Sequence, residues 1–178
     1  VKYKTDISWT FSLSYKLFKR ELIEKYTLHF PDISYSEDGA FLVQFLYRCS
    51  KITGLNQVIF HYRRYNEEDA QSITASVSES KIKDYLTAHE MILTCAKESF
   101  LRNFPEYTTI EEAIADNEDI NNYLNTIIHK ELLILLNRFY AKFWTLDSST
   151  AQFLLTQINS KLELLNMKGL CELRAALP

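Results

Sequence analysis

The sequence predicts an α-rich, mixed α/β chain: a mixed piece through about residue 76, then an all-helical module over 77–178. Three observations lead there. Gly and Pro number only three each in 178 residues, too few turn formers for a many-stranded sandwich. From about Ser80 onward the apolar residues recur at helical spacing. Before that point, a strand-like run, Val58-Ile59-Phe60-His61-Tyr62, interrupts the helical character.

Apolar residues at 13, 17, 18, 22, 23 and 26 predict a helix from Leu13 to Tyr26, closed by Phe30-Pro31-Asp32. Ser36 is placed to cap a second helix from about Glu37 to Ser50. Its interior is apolar nearly all round (Phe41, Leu42, Val43, Phe45, Leu46, Tyr47), so it should be deeply buried. Two short strands are expected next, around Lys51–Thr53 and Val58–Arg63, with Gly54 and Asn56 at the turn between them.

The helical module opens with Ile82, Tyr85, Leu86, His89, Ile92 and Leu93 on one stripe that continues to Phe104, before Pro105. Thr109 precedes Glu111 and Glu112, an acidic first turn that suits a helix dipole. A long amphipathic helix is expected from Ile120 to Leu146, and another, capped by Ser148-Ser149, to about Asn166. Gly169 should break the chain before a short final helix. The stripe from Tyr123 to Phe143 reads as core or as a surface for self-association into a homo-oligomer.

Composition narrows the function classes. A chain of this length buries roughly 70% of its unfolded surface, so it needs no staples. Apolar residues make up 47% and charged residues 24%, an ordinary globular balance. The net charge of −3 provides no basic field to attract nucleic acid. No apolar run reaches the roughly 18 residues of a membrane span, and the first residues lack the order of a signal peptide. Cys49, Cys95 and Cys171 are odd in number and far apart, which fits a reducing cytoplasm better than a disulfide framework. His29, His61, His89 and His129 share no metal-ligand spacing. Phosphate loops and nucleophilic Ser/His or Cys/His constellations are missing from the sequence.

One stretch carries chemistry. Glu37-Asp38 offers a carboxylate base at a helix start, and about 25 residues on, Arg63-Arg64 and Ser72 offer cations and a hydroxyl for phosphate oxygens. The plainer alternative is that the carboxylates only stabilise a helix start, while the arginines balance Glu67, Glu68 and Asp69. Trp9 and Tyr15 are placed to stack on sugar, though aromatics this abundant (11 Tyr, 11 Phe) mostly build core.

The ordered set Lys16-Leu17-Phe18-Lys19-Arg20-Glu21-Leu22-Ile23, Phe30-Pro31, Ser36-Glu37-Asp38-Gly39-Ala40-Phe41, His61-Tyr62-Arg63-Arg64 and Gln71-Ser72-Ile73-Thr74 resembles one known pattern. It is similar to the C-terminal, acceptor-side part of the catalytic domain in family 2 glycosyltransferases, the inverting GT-A fold enzymes of bacterial capsule and wall polymers. The likeness lies within residues 1–76, under half of the chain. It implies sugar transfer from a nucleotide-sugar donor to a glycan or polymer acceptor, on the cytoplasmic side, at the inner face of the membrane. On that resemblance Asp38 is the general base, Glu37 orients the site or contacts the acceptor, and Arg63, Ser72 and Arg64 hold the donor diphosphate.

The family's nucleotide-binding βαβ region and metal-holding Asp-x-Asp do not occur before the acidic pair, and Asp116-Asn117-Glu118-Asp119 is a poor substitute. The expectation is therefore a fragment whose missing N-terminal half carries most of the donor site and the main ligands for Mg²⁺ or Mn²⁺. The rival expectation is a non-enzymatic helical interaction module.

Overall fold

The computed structural model describes residues 12–54, 57–58, 60–61 and 76–165. Among them are six α-helices: α1 (Arg20–Lys25), α2 (Glu37–Leu46), α3 (Glu79–Asn103), α4 (Ile110–Asp116), α5 (Glu118–Ile134) and α6 (Ser148–Leu164). Between α5 and α6 the chain passes through a π-helical turn, Leu135–Phe139, and a 3₁₀ segment, Tyr140–Thr145.

The helix-rich expectation holds, but no strand occurs among the described residues. The strand expected at Lys51–Thr53 is exposed irregular chain, with Ile52 44% accessible. At the second expected strand, Val58, Phe60 and His61 are likewise exposed and not in strand conformation, while Ile59, Tyr62 and Arg63 lie outside the described residues. A strand needs a partner strand to take its backbone hydrogen bonds, and no strand is formed among the described residues.

The first helix is far shorter than its apolar stripe suggested. Upstream of Arg20 the Ser14 N–H donates to the Ser12 hydroxyl at 3.4 Å, a local bond that competes with the helical ladder. Leu17 is left 86% exposed. Helix α1 ends in a Schellman turn: the Leu28 N–H returns to the Ile23 carbonyl at 2.9 Å and the Thr27 N–H to Glu24 at 3.3 Å. Thr27 takes the left-handed conformation (φ 49°) that this turn requires. Leu28, Phe41 and Phe45 then bury together with Phe18, whose ring meets the two phenylalanine rings edge-on at 5.6 and 4.9 Å.

Helix α2 buries six of its ten residues, as its all-round apolar sequence requires, although it stops at Leu46 rather than Ser50. It lies on α3, where Val43 packs with Ile92 and Cys95. Helix α3 begins where Ser78 accepts the Lys81 N–H at 3.3 Å. Helix α4 starts in a capping box between Thr109 and Glu112.

The single long helix expected over 120–146 is instead α5 plus the π and 3₁₀ turns, with non-helical torsions at Lys142. That re-phasing keeps Leu132, Leu135 and Phe139 in the core while Trp144 turns outward, 83% exposed. Asp147, rather than Ser148-Ser149, caps α6, its Oδ1 accepting the N–H groups of Ser149 and Thr150 at 3.0 Å each. Those bonds hold the Asp147 carboxyl below its usual range. The helix expected after Gly169 lies outside the described residues. No helix among the described residues is long and apolar enough to cross a membrane.

The largest core cluster joins Tyr35, from the loop before α2, to Ile82 and Tyr85 of α3, Leu132 of α5, Phe139, and Leu154, Ile158 and Leu162 of α6. A second cluster (Ala96, Phe100, Ile110, Ala113, Ile120, Leu124) holds α3, α4 and α5 together.

Candidate functional site

The acidic pair opens α2. Glu37 and Asp38 are its first two residues, both half-buried, and both lie in the first turn, where the helix dipole favours an anion. The Asp38 Oδ1 accepts the Gly39 N–H at 2.7 Å. Behind them Gly39 and Ala40 are buried, so the carboxylates stand on a packed base.

Ser36 does not cap this helix. It sits in the left-handed region (φ 66°, ψ 17°), and its side chain makes no capping bond. An N-cap residue needs extended torsions for its oxygen to reach the following amides, and the left-handed turn removes that geometry. The first-turn amides are instead served in part by Asp38.

Sequence reasoning overlooked what holds the approach to this turn. The Ser34 N–H donates to Asp84 Oδ2 of α3 at 3.0 Å. The Tyr35 hydroxyl accepts from Arg138 Nη1 of the π turn, also at 3.0 Å. The Tyr35 ring is 8% exposed and lies 6.0 Å from the Phe139 ring. No signal in the sequence points to these bonds, because their partners are 50 and 103 residues apart.

Of the other expected site residues, Arg63, Arg64, Ser72 and Trp9 lie outside the described residues. His61 is described and exposed. The half-buried Tyr15 has the Lys16 ammonium 4.0 Å from its ring centre. No group of three or more His, Cys, Asp or Glu side chains among the described residues could hold a metal ion. Two neighbouring carboxylates are no cage for a divalent cation, so the described residues do not fit the implied Mg²⁺ or Mn²⁺ by themselves.

A second polar centre lies inside the bundle. Glu131 of α5 is 3% exposed and meets Lys161 Nζ of α6 at 3.0 Å, while its Oε1 has no hydrogen-bond partner. Burial raises the Glu131 pKa, and Lys161 pulls it back only in part. His89 of α3 is 6% exposed, and its Nδ1 is also without a partner. Its ring centre lies 4.5 Å from that of Tyr85, whose hydroxyl donates to the Glu131 carbonyl at 3.4 Å. Burial, reinforced by the Lys161 charge, lowers the His89 pKa to about 4.

No protein-family model, no curated protein and no solved structure matches the chain.

Proposed function

We propose that this chain is the acceptor-side part of an inverting nucleotide-sugar glycosyltransferase, with Asp38 as the general base. The ordered set of motifs between Lys16 and Thr74 supports the reading. The observation that carries it is the placement of Asp38: half-buried in the first turn of a helix whose remaining face is core. The dipole there favours the anion needed to accept a proton.

In the proposed step, Asp38 takes the proton of an acceptor hydroxyl as that oxygen attacks the sugar C1. The C1–oxygen bond to the diphosphate breaks on the opposite face, and the nucleoside diphosphate leaves with the electron pair. Arg63, Arg64 and Ser72 are proposed to meet that developing charge. Glu37 orients the acceptor. The donor nucleotide and the Mg²⁺ or Mn²⁺ belong, on this reading, with another part of the full-length protein.

The test is Asp38→Asn in the full-length protein, assayed for sugar transfer and, separately, for donor binding and thermal unfolding. Transfer should fall ~10²–10⁴-fold while binding and unfolding stay near wild type. Turnover within about threefold of wild type would end the assignment, since loss of a positioned base costs far more. The acidic pair would then be a helix-start device in an interaction module.

A further inference from the structure

We infer that the helical region places the acidic pair for catalysis, with Asp84 and Arg138 as positioning residues for Asp38. This rests on the reading of Asp38 as the base.

Three consecutive residues lead into α2, and each is fixed differently. Ser34 is held by its backbone N–H on the Asp84 carboxylate, at 3.0 Å. Tyr35 is held by its hydroxyl on the Arg138 guanidinium, at 3.0 Å, and by a ring buried against Phe139. Ser36 then turns left-handed, a conformation a non-glycine residue keeps only when its surroundings impose it. The next two residues are Glu37 and Asp38, and the Ser36 carbonyl accepts the first helical bond, from Ala40, at 3.1 Å. The direction in which α2 starts, and hence the bearing of Asp38, is set by the tethers at Ser34 and Tyr35.

The π turn has a part in this. Leu135–Phe139 supplies both Arg138 and Phe139. One residue more or fewer in that turn would rotate the downstream residues by roughly 100° about the helix axis. Wide turns of this kind recur where a helix must aim a functional side chain. Here the turn brings two consecutive residues to one tyrosine, the Phe139 ring packed at a steep angle to its ring and the Arg138 guanidinium on its hydroxyl.

A bundle contact with no positioning role would be blind to conservative replacement and would move stability alone. The experiment therefore compares Asp84→Ala and Arg138→Met with Asp84→Asn and Arg138→Lys in the full-length protein, with Asp38→Asn alongside. Transfer kinetics, thermal unfolding and amide exchange over residues 34–39 are read for each. The first two variants should lower kcat on the order of tenfold or more, leave the donor KM unchanged and speed exchange at 34–39. The two conservative variants should recover most of the rate. Wild-type kcat in Asp84→Ala and Arg138→Met, with transfer lost in Asp38→Asn, overturns the positioning alone. A change confined to KM, or a rate loss that tracks unfolding and is not rescued, overturns it as well. Retained transfer in Asp38→Asn instead overturns the base assignment beneath it.

Discussion

Lys161 reaches Glu131 across the α5–α6 contact at 3.0 Å, and the carboxylate side chain it meets is only 4% exposed. In the other ion pairs among the described residues the acidic side chain is 36–78% exposed. An exposed pair contributes little, whereas a buried carboxylate that loses its cation is costly. The pair therefore acts as a condition on assembly: α6 must bring its lysine if α5 is to keep its glutamate inside.

Lys161→Met should destabilise the chain by about 3 kcal/mol, the low end for breaking a buried pair, because Lys161 keeps some contact with water. The double variant Glu131→Leu/Lys161→Met should regain most of that loss. Denaturant midpoints of the three chains give the answer. A double variant no more stable than Lys161→Met alone would refute the coupling.

The His89 ring gives stability a pH dependence of definite sign. Its pKa falls from the ordinary 6.5 to about 4 in the folded chain, so between those values the unfolded chain binds a proton that the folded chain refuses. Its contribution is fully present above the unfolded value and is lost as pH falls toward the folded one. The 2.5-unit gap corresponds to roughly 3 kcal/mol. Glu131, with its raised pKa, works in the opposite sense in acid. Comparing wild type with His89→Phe at about pH 7 and pH 5 isolates the histidine, since both chains retain Glu131. The difference should shift in favour of the variant as pH falls.

At the start of α4, Thr109 and Glu112 satisfy each other's amides, the Glu112 N–H reaching the Thr109 hydroxyl at 3.2 Å and the Thr109 N–H reaching Glu112 Oε2 at 3.2 Å. Thr108 adds its own N–H and hydroxyl to that carboxylate, and these bonds lower its pKa. Thr109→Ala should cost about 1 kcal/mol and Thr109→Ser much less. Thermal melts monitored by far-ultraviolet circular dichroism will separate them.

For the donor side, Arg63→Ala and Ser72→Ala in the full-length protein should each weaken nucleoside diphosphate binding, Arg63 more. A charge-assisted contact is typically worth ~1.5–3 kcal/mol, against about 1 for a neutral one. Calorimetric titration with the diphosphate is the measurement. Unchanged affinity in both would return the two residues to ordinary surface chemistry.

Periodicity found helices well and their interruptions poorly. The stripe from Ile82 to Phe104 became α3 nearly residue for residue, because 3.6-residue spacing is a property of one face of one helix. The acidic first turn after Thr109 became a true capping box for the same local reason. Lys51–Thr53 misled because a strand depends on a partner elsewhere, and a short apolar run does not reveal whether one exists. The stripe through Phe143 concealed a change of phase at Leu135, since both ends remain apolar. Glu37 and Asp38 were legible as a helix start. Asp84 and Arg138 were not, because a polar residue's partner across the fold leaves no spacing to count.

Tyr35 shares its core with Leu154, Ile158 and Leu162, over a hundred residues later in the chain. On the ribosome, the core around Tyr35 therefore stays incomplete until α6 has been made. Until then the part of that core that α6 covers is a surface a chaperone can grasp. Closing a loop over so long a stretch costs conformational entropy, which slows the formation of such a contact. The tethers from Asp84 and Arg138 both precede α6 in the chain, so a nascent chain stalled there should hold the acidic turn over a core still open on one side.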